Sequence, residues 1–174
     1  MNIVIIRAGK EIVLPEEAHD RLYSEGFYIT LNKIKRPYGC YYQVMVCKKV
    51  AGKISFRTSL ARVLLDAPPL VHVDHIDQDP LNNKLDNLRI ATRSQNMANR
   101  PKYRDQTGFK GVSSIKGRFH VQCKRQGISY KAGPFDTDIQ AAEAYDELAV
   151  FLFGEYASLN SPKAQSSFLP KTEI

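Results

Sequence analysis

The segment from Leu70 to Asn99 constrains the fold most, because its structural character changes three times within thirty residues. "LVHVD" is an apolar strand by composition, "DQDPLNNKLDN" is a loop by its Asp, Asn and Pro content, and "LRIA" resumes an extended run. Thr92 and Gln95 have the spacing of a capping box, which predicts a short helix over "RSQNMANR". The segment therefore predicts a compact unit of strand, loop, strand and helix.

Three side chains of this unit suit the hydrolysis of a phosphodiester. Asp74 and His75 end the first predicted strand, and Asn96 lies early in the predicted helix. A carboxylate and an amide oxygen are ligands that Mg²⁺ accepts, and a neighbouring imidazole can take a proton from water. The unit therefore predicts a metal-assisted hydrolytic site.

The pattern "VDHID…NN…DNLRIAT…N" resembles the HNH endonuclease motif, in the variant whose last His is replaced by Asn. The resemblance implies a ββα-metal fold and phosphodiester hydrolysis with one divalent cation, Mg²⁺ or Mn²⁺. By position it implies that His75 is the general base and that Asp74 and Asn96 are the metal ligands. It also implies that Asn87 pins the loop and orients the imidazole, while Asn83 tightens the same loop and is structural.

Two departures from the family pattern qualify the resemblance. The Cys-based zinc sites of some HNH enzymes are absent, so we expect no structural zinc. Relatives often carry a His immediately before the Arg of the helix that leads into the motif, and here Ala61 takes that place while Arg62 is retained. We expect Arg62 to bind DNA phosphate alone, and we interpret His72 as a structural or substrate-proximal residue.

Residues 1–66 have the pattern of short strands with two helices. "NIVIIRAGKEIVLP" predicts a hairpin, and Pro15 begins a good first helical turn. Strands follow in "FYITLNKI", "YYQVMVCKK" and "KISFRTS", and Thr58 or Ser59 is expected to cap the short helix "LARVLLD".

Positive charge is concentrated in one stretch of the chain. Between residues 100 and 131 there are nine Lys or Arg and one acid, whereas residues 136–155 contain six acids and no Lys or Arg. Such separation of charge indicates one face that binds phosphate and an opposite face that does not.

The basic stretch also alternates as a strand, with Phe119, Val121 and Cys123 on one face. A helix should follow, capped by Thr137 and ended by Gly154. The order of elements over residues 108–160 resembles the Apetala-type DNA-binding domain of plant ethylene-response factors, although the Trp residues of the plant sheet are absent. The expected DNA contacts are Arg62, Arg100, Lys102, Arg104, Lys110, Lys116, Arg118, His120, Gln122, Lys124, Arg125 and Lys131.

These patterns predict an α+β protein. An N-terminal β-rich region leads into a ββα-metal nuclease core at about 70–100, and a three-stranded antiparallel sheet packed on one helix follows. The expected domains are a nuclease domain over 1–100, a linker over 101–110, the Apetala-type domain over 111–160 and a C-terminal tail over 161–174.

The function that we expect is a sequence-preferring endonuclease acting on double-stranded DNA, a phage-type homing enzyme or nickase. Two alternatives stay open: a restriction endonuclease acting as a dimer, and a non-cleaving regulator on an HNH scaffold. The sequence shows no obvious dimerisation seam, which favours a monomer. Three cysteines without a CxxC pair and the lack of a long apolar run indicate a cytoplasmic protein of a bacterial or phage-infected cell, with no membrane partner.

Overall fold

The computed structural model describes residues 1–36, 39–101 and 107–161, and the chain divides into two compact units after Thr92. Each sheet is antiparallel and small, which agrees with the predicted α+β class. The first unit contains β1 (Asn2–Arg7), β2 (Lys10–Pro15), α1 (Glu16–Ser24), β3 (Tyr28–Arg36), β4 (Gly39–Val50), β5 (Lys53–Ser59), α2 (Leu60–Leu64), β6 (His72–His75), a 3₁₀ turn (Leu85–Asn87) and β7 (Leu88–Ala91). The second contains α3 (Arg93–Ala98), β8 (Val112–Ile115), β9 (Arg118–Arg125), β10 (Ile128–Phe135), α4 (Asp138–Phe153) and a 3₁₀ turn (Gly154–Tyr156).

The N-terminal part of the first unit follows the sequence pattern closely. Strands β1 and β2 form the predicted hairpin, and β3, β4 and β5 form a sheet in that order. Their core-facing residues, with Ile12, Leu14 and Leu60 fully buried, form one apolar cluster. Helix α2 begins after Ser59 as expected, but the Ser59 hydroxyl makes no capping hydrogen bond, so the prediction of a side-chain cap was wrong.

In the second unit, three strands in the order β10-β9-β8 pack on α4. Val121 and Cys123 are buried against the helix, as the alternation along β9 predicts. The predicted capping box is present: the Thr137 hydroxyl accepts from the Gln140 backbone N–H, and the Gln140 side chain accepts from the Thr137 N–H. Gly154 ends the helix at a positive φ, which confirms both predicted helix limits.

Helix α3 is grouped with the second unit. Its last residue, Ala98, is buried in the same apolar cluster as α4, and its carbonyl accepts hydrogen bonds from the Lys110 ammonium and the Ser158 backbone N–H. The compact units thus divide the chain eight residues before the predicted end of the nuclease domain at residue 100, and the domain limits themselves stay a prediction. Within the described ranges, no helix combines the length and apolar character needed to cross a membrane.

Candidate functional site

Strands β6 and β7 pair as a short hairpin and carry two of the predicted site residues at one end. Asp74 is 4% exposed and stands opposite Arg89 in the register. Both Nε and Nη2 of Arg89 lie 2.9 Å from Asp74 Oδ2. The neighbouring His75 is half-buried and is the last residue of β6, so a buried carboxylate and a half-buried imidazole are consecutive at the end of this strand.

The loop between the two strands is organised around Asp77. Its carboxylate accepts hydrogen bonds from Asn82 Nδ2 at 2.6 Å, Asn87 Nδ2 at 2.8 Å and the Asp79 backbone N–H at 2.9 Å. Burial acts to raise the pKa of Asp77. The hydrogen bonds, with a smaller contribution from His75, outweigh burial and hold the pKa of Asp77 below the ordinary value of 3.8. The amides and carboxylates of the loop thus bond to one another.

Asn87 is hydrogen-bonded to the backbone of this loop at three points. Its side chain accepts from the Asp77 backbone N–H at 3.0 Å and donates to the Asn82 carbonyl at 2.8 Å, and its own carbonyl accepts from the Ile76 N–H at 2.9 Å. The imidazole, however, is contacted by the other Asn of the motif, since His75 Nε2 lies 3.3 Å from Asn83 Oδ1.

Asn96, the second expected metal ligand, lies half-buried on α3 in the second unit, whereas Asp74 belongs to the first. Among the described residues, no three His, Cys, Asp or Glu side chains come together as a metal centre. The chemistry of the expected donors still fits a hard cation that keeps several waters. A carboxylate offers about four lone-pair positions, so Arg89 and a cation can share Asp74.

Two basic residues expected at DNA are engaged with backbone carbonyls instead. Arg62 donates to Val71 at 2.6 Å, to Pro68 at 2.7 Å and to Ala67 at 3.1 Å, and it clamps the segment between α2 and β6. These contacts do not support the expected role of Arg62 at phosphate.

Lys110 has a similar place in the second unit. Its ammonium donates to the carbonyls of Ala98 and, at 2.8 Å, of Arg100. Burial lowers the pKa of Lys110 from 10.5 to about 8, although the nearby Cys123 and Asp146 act to raise it. A buried ammonium that satisfies two carbonyls is a structural clamp, and the contacts do not support the expected DNA contact.

Several of the remaining expected DNA contacts alternate with the buried residues of β9 or lie on β10 beside them. The register places Gln122 beside Lys131 and Lys124 beside Ser129, and all four are exposed. Arg118 reaches Asp136 at 3.1 Å while its side chain stays 49% exposed, and His120 is half-buried. Arg100, Lys116 and Arg125 are exposed as well, whereas Lys102 and Arg104 lie outside the described residues.

The sequence analysis did not predict two contacts of the site, the one between Asn83 and His75 and the one between Arg89 and Asp74. Arg89 had a usable signal, because pairing "HVDH" with "LRIA" as a hairpin places it opposite Asp74. Asn83 had none, because a contact inside a loop depends on how the loop closes.

Comparison with known proteins matches the segment that carries this site. Residues 66–98 match the family model for HNH endonuclease. The chain is 32% identical over 111 residues to an uncharacterized HNH endonuclease of Acanthamoeba polyphaga mimivirus, across 63% of this chain and 58% of that protein. It is 44% identical over 52 residues to Protein 3.8 of Escherichia phage T7, across 29% of this chain and 43% of that protein. The chain thus spans about half the length of these relatives, and no solved structure matches it.

Proposed function

We propose that the chain is a metal-dependent DNA endonuclease that cuts with the segment matching the HNH family model. The observation that carries this proposal is the position of His75 at the end of β6, next in sequence to the buried Asp74, with its imidazole held 3.3 Å from Asn83 Oδ1. A site of this kind hydrolyses phosphodiesters when a base and a cation act on the same phosphate.

His75 would take a proton from a water molecule that attacks phosphorus in line, leaving a 5′ phosphate and a 3′ hydroxyl. Asp74 and Asn96 would hold one Mg²⁺ or Mn²⁺ in a ββα-metal arrangement. Such a cation, when bound, stabilises the negative charge of the phosphate and of the leaving oxygen. Arg89 holds the Asp74 carboxylate at 2.9 Å, and the Asp77 and Asn87 network holds the loop that follows the base.

Double-stranded DNA would be bound by the sheet face that carries Gln122, Lys124 and Lys131, in the manner of an Apetala-type domain. A three-stranded antiparallel sheet can lie in the major groove, where Lys and Gln side chains reach base edges. The acidic residues of α4 lie on the opposite side of this sheet, which directs the DNA to the basic face.

The strands β3–β5 add a second basic surface for the DNA backbone. From residue 26 to residue 59 the chain has seven Lys or Arg and no acid. Lys48 lies over the Phe27 ring at 4.9 Å and Lys49 over the Tyr28 ring at 5.6 Å, so aromatic rings support part of this charge. We infer a sequence-preferring homing enzyme or nickase that acts as a monomer, and with a single His75 such a monomer would cut one strand at a time.

Supercoiled plasmid incubated with the protein and Mg²⁺ or Mn²⁺ tests the proposal. Metal-dependent conversion to open circle or linear DNA should be seen with the wild type and with His19→Ala, a control histidine on α1. The conversion should be lost in His75→Ala and in EDTA.

The form of the product separates the alternatives. Open circles indicate a nickase, and linear product that rises with the square of protein concentration indicates a dimeric restriction enzyme. Lack of any conversion on a DNA library that the protein binds in a filter assay would refute the nuclease and leave a DNA-binding regulator.

A further inference from the structure

The orientation of the Asn83 side chain is fixed by its surroundings. The residue is 1% exposed, and its Nδ2 donates to the carbonyls of Pro80 at 3.3 Å and Leu81 at 3.2 Å. Only the nitrogen of an amide can donate to carbonyls, so these two bonds leave Oδ1 facing the His75 ring. The 3.3 Å contact between Asn83 Oδ1 and His75 Nε2 therefore has an acceptor on the Asn83 side.

The acceptor determines the protonation of the imidazole. A neutral imidazole has one N–H and one lone pair, and the nitrogen that faces an acceptor must carry the hydrogen. In the neutral ring, this contact is a hydrogen bond from His75 Nε2 to Asn83 Oδ1. Asn83 therefore fixes the direction of the imidazole ring.

The backbone of Asn83 is held by the N-terminal hairpin. Its N–H donates to the Val13 carbonyl at 2.7 Å, and the Val13 N–H donates to the Leu81 carbonyl at 3.0 Å. Val13 lies on β2 between Ile12 and Leu14, which are both fully buried. The loop is thereby attached to a strand anchored in the core of the first unit.

We propose that Asn83 is the positioning residue for His75, and that strand β2 holds Asn83 in place. This inference rests on the proposed function only where it treats His75 as the catalytic base. Asn87 then has the separate task of closing the loop through Asp77 and Asn82, while Asn83 contacts Nε2 of the base.

Nuclear magnetic resonance of ¹⁵N-histidine protein, at a pH where the imidazole is neutral, tests the geometry without DNA. We expect the ring proton of His75 to be bound to Nε2 and to persist, because a hydrogen bond slows its exchange with water. In Asn83→Leu, which has a similar volume but no acceptor, the same signal should be lost by fast exchange. Asp86→Ala, which changes an exposed residue of the same loop, should keep it.

A wild-type spectrum with the proton on Nδ1, or with no persistent ring proton, would overturn the proposal even if Asn83→Leu failed to fold. Persistence of the signal in a folded Asn83→Leu would overturn it as well. Amide hydrogen exchange tests whether β2 holds Asn83. The N–H groups of Val13 and Asn83 should exchange slowly with solvent. Exchange as fast as in an exposed loop would refute the support by β2.

Cleavage kinetics then connect the geometry to the reaction. Asn83→Leu should lower kcat about 10- to 100-fold, as loss of a supporting contact usually does, with KM for DNA unchanged. A rise in KM with unchanged kcat would contradict positioning of the base. A protein that shows the expected ring proton but cuts no DNA would support the positioning by Asn83 while refuting the proposed function.

Discussion

The buried ion pair between Asp74 and Arg89 makes the first unit sensitive to the loss of one charge. The side chains are 5% and 13% exposed, and two nitrogens of Arg89 lie 2.9 Å from one carboxylate oxygen. Arg89→Met removes the cation and keeps most of the volume. The carboxylate would then stay buried without the Arg89 charge, so we expect a large loss of stability.

The size of the loss follows from the burial of the pair. Breaking a buried pair by removing one partner costs about 3 to 5 kcal/mol, whereas exposed pairs are worth less than about 1 kcal/mol. Arg89 keeps slight exposure, which places the expected loss near the lower limit, about 3 kcal/mol. Domains have a total stability of about 5 to 15 kcal/mol, so the variant should retain its fold but unfold at much lower urea concentration.

Urea unfolding in EDTA, with amide exchange along β6 and β7, measures the effect. The double variant Asp74→Leu/Arg89→Met removes both charges, and it should recover most of the stability lost in Arg89→Met because no charge remains buried. A loss below about 1 kcal/mol in Arg89→Met, or a double variant no more stable than the single one, would refute the reasoning.

Three further predictions concern the second unit. Gly111→Ala should cost about 2 to 4 kcal/mol in thermal unfolding, because φ is +71° and an added Cβ would lie 2.1 Å from the Tyr145 ring. Lys110→Met should change the pH dependence of urea unfolding. Folding lowers the pKa of Lys110 from 10.5 to about 8, so between these pH values the unfolded chain binds more protons than the folded chain. Lys110 therefore makes the stability of the wild type rise with pH in this range. Lys124→Ala and Lys131→Ala should each weaken binding to duplex DNA and lower its dependence on log salt concentration by about 1.

Each of these predictions has a control within the chain. Gly127→Ala changes a glycine at φ +87° with no atom within 4 Å, and it should cost only about 1 to 2 kcal/mol. Burial raises the pKa of the Cys123 thiol and Lys110 lowers it, so loss of Lys110 raises that pKa further and adds to the stability that the variant loses at alkaline pH. Comparison of the two proteins in a Cys123→Ala background isolates the contribution of Lys110. That difference should shift in favour of the wild type above about pH 8, and a flat difference would contradict the prediction. Arg21→Ala removes an exposed charge on α1 and should leave the salt dependence unchanged.

Local patterns determined much of the fold before any tertiary contact was known. Turn residues between β-branched runs predicted the hairpin of β1 and β2, and the Thr137 capping box predicted the start of α4. Alternation along β9 predicted which residues are buried, because a strand turns successive side chains to opposite faces. The motif around His75 likewise depends on residues close in sequence, and the family match falls on the same segment.

Contacts between distant segments could not be obtained in this way. Arg62 and Lys110 have the composition of surface cations, but the carbonyls that they satisfy are brought to them by the folding of neighbouring loops. Asn83 and Asn87 are indistinguishable as residue types, and their roles differ because strand β2, seventy residues earlier at Val13, bonds to the backbone of Asn83. The sequence alone therefore determined the chemistry available at the site, whereas the tertiary structure decided which side chain meets which partner, since a hydrogen bond requires a defined distance and direction between groups.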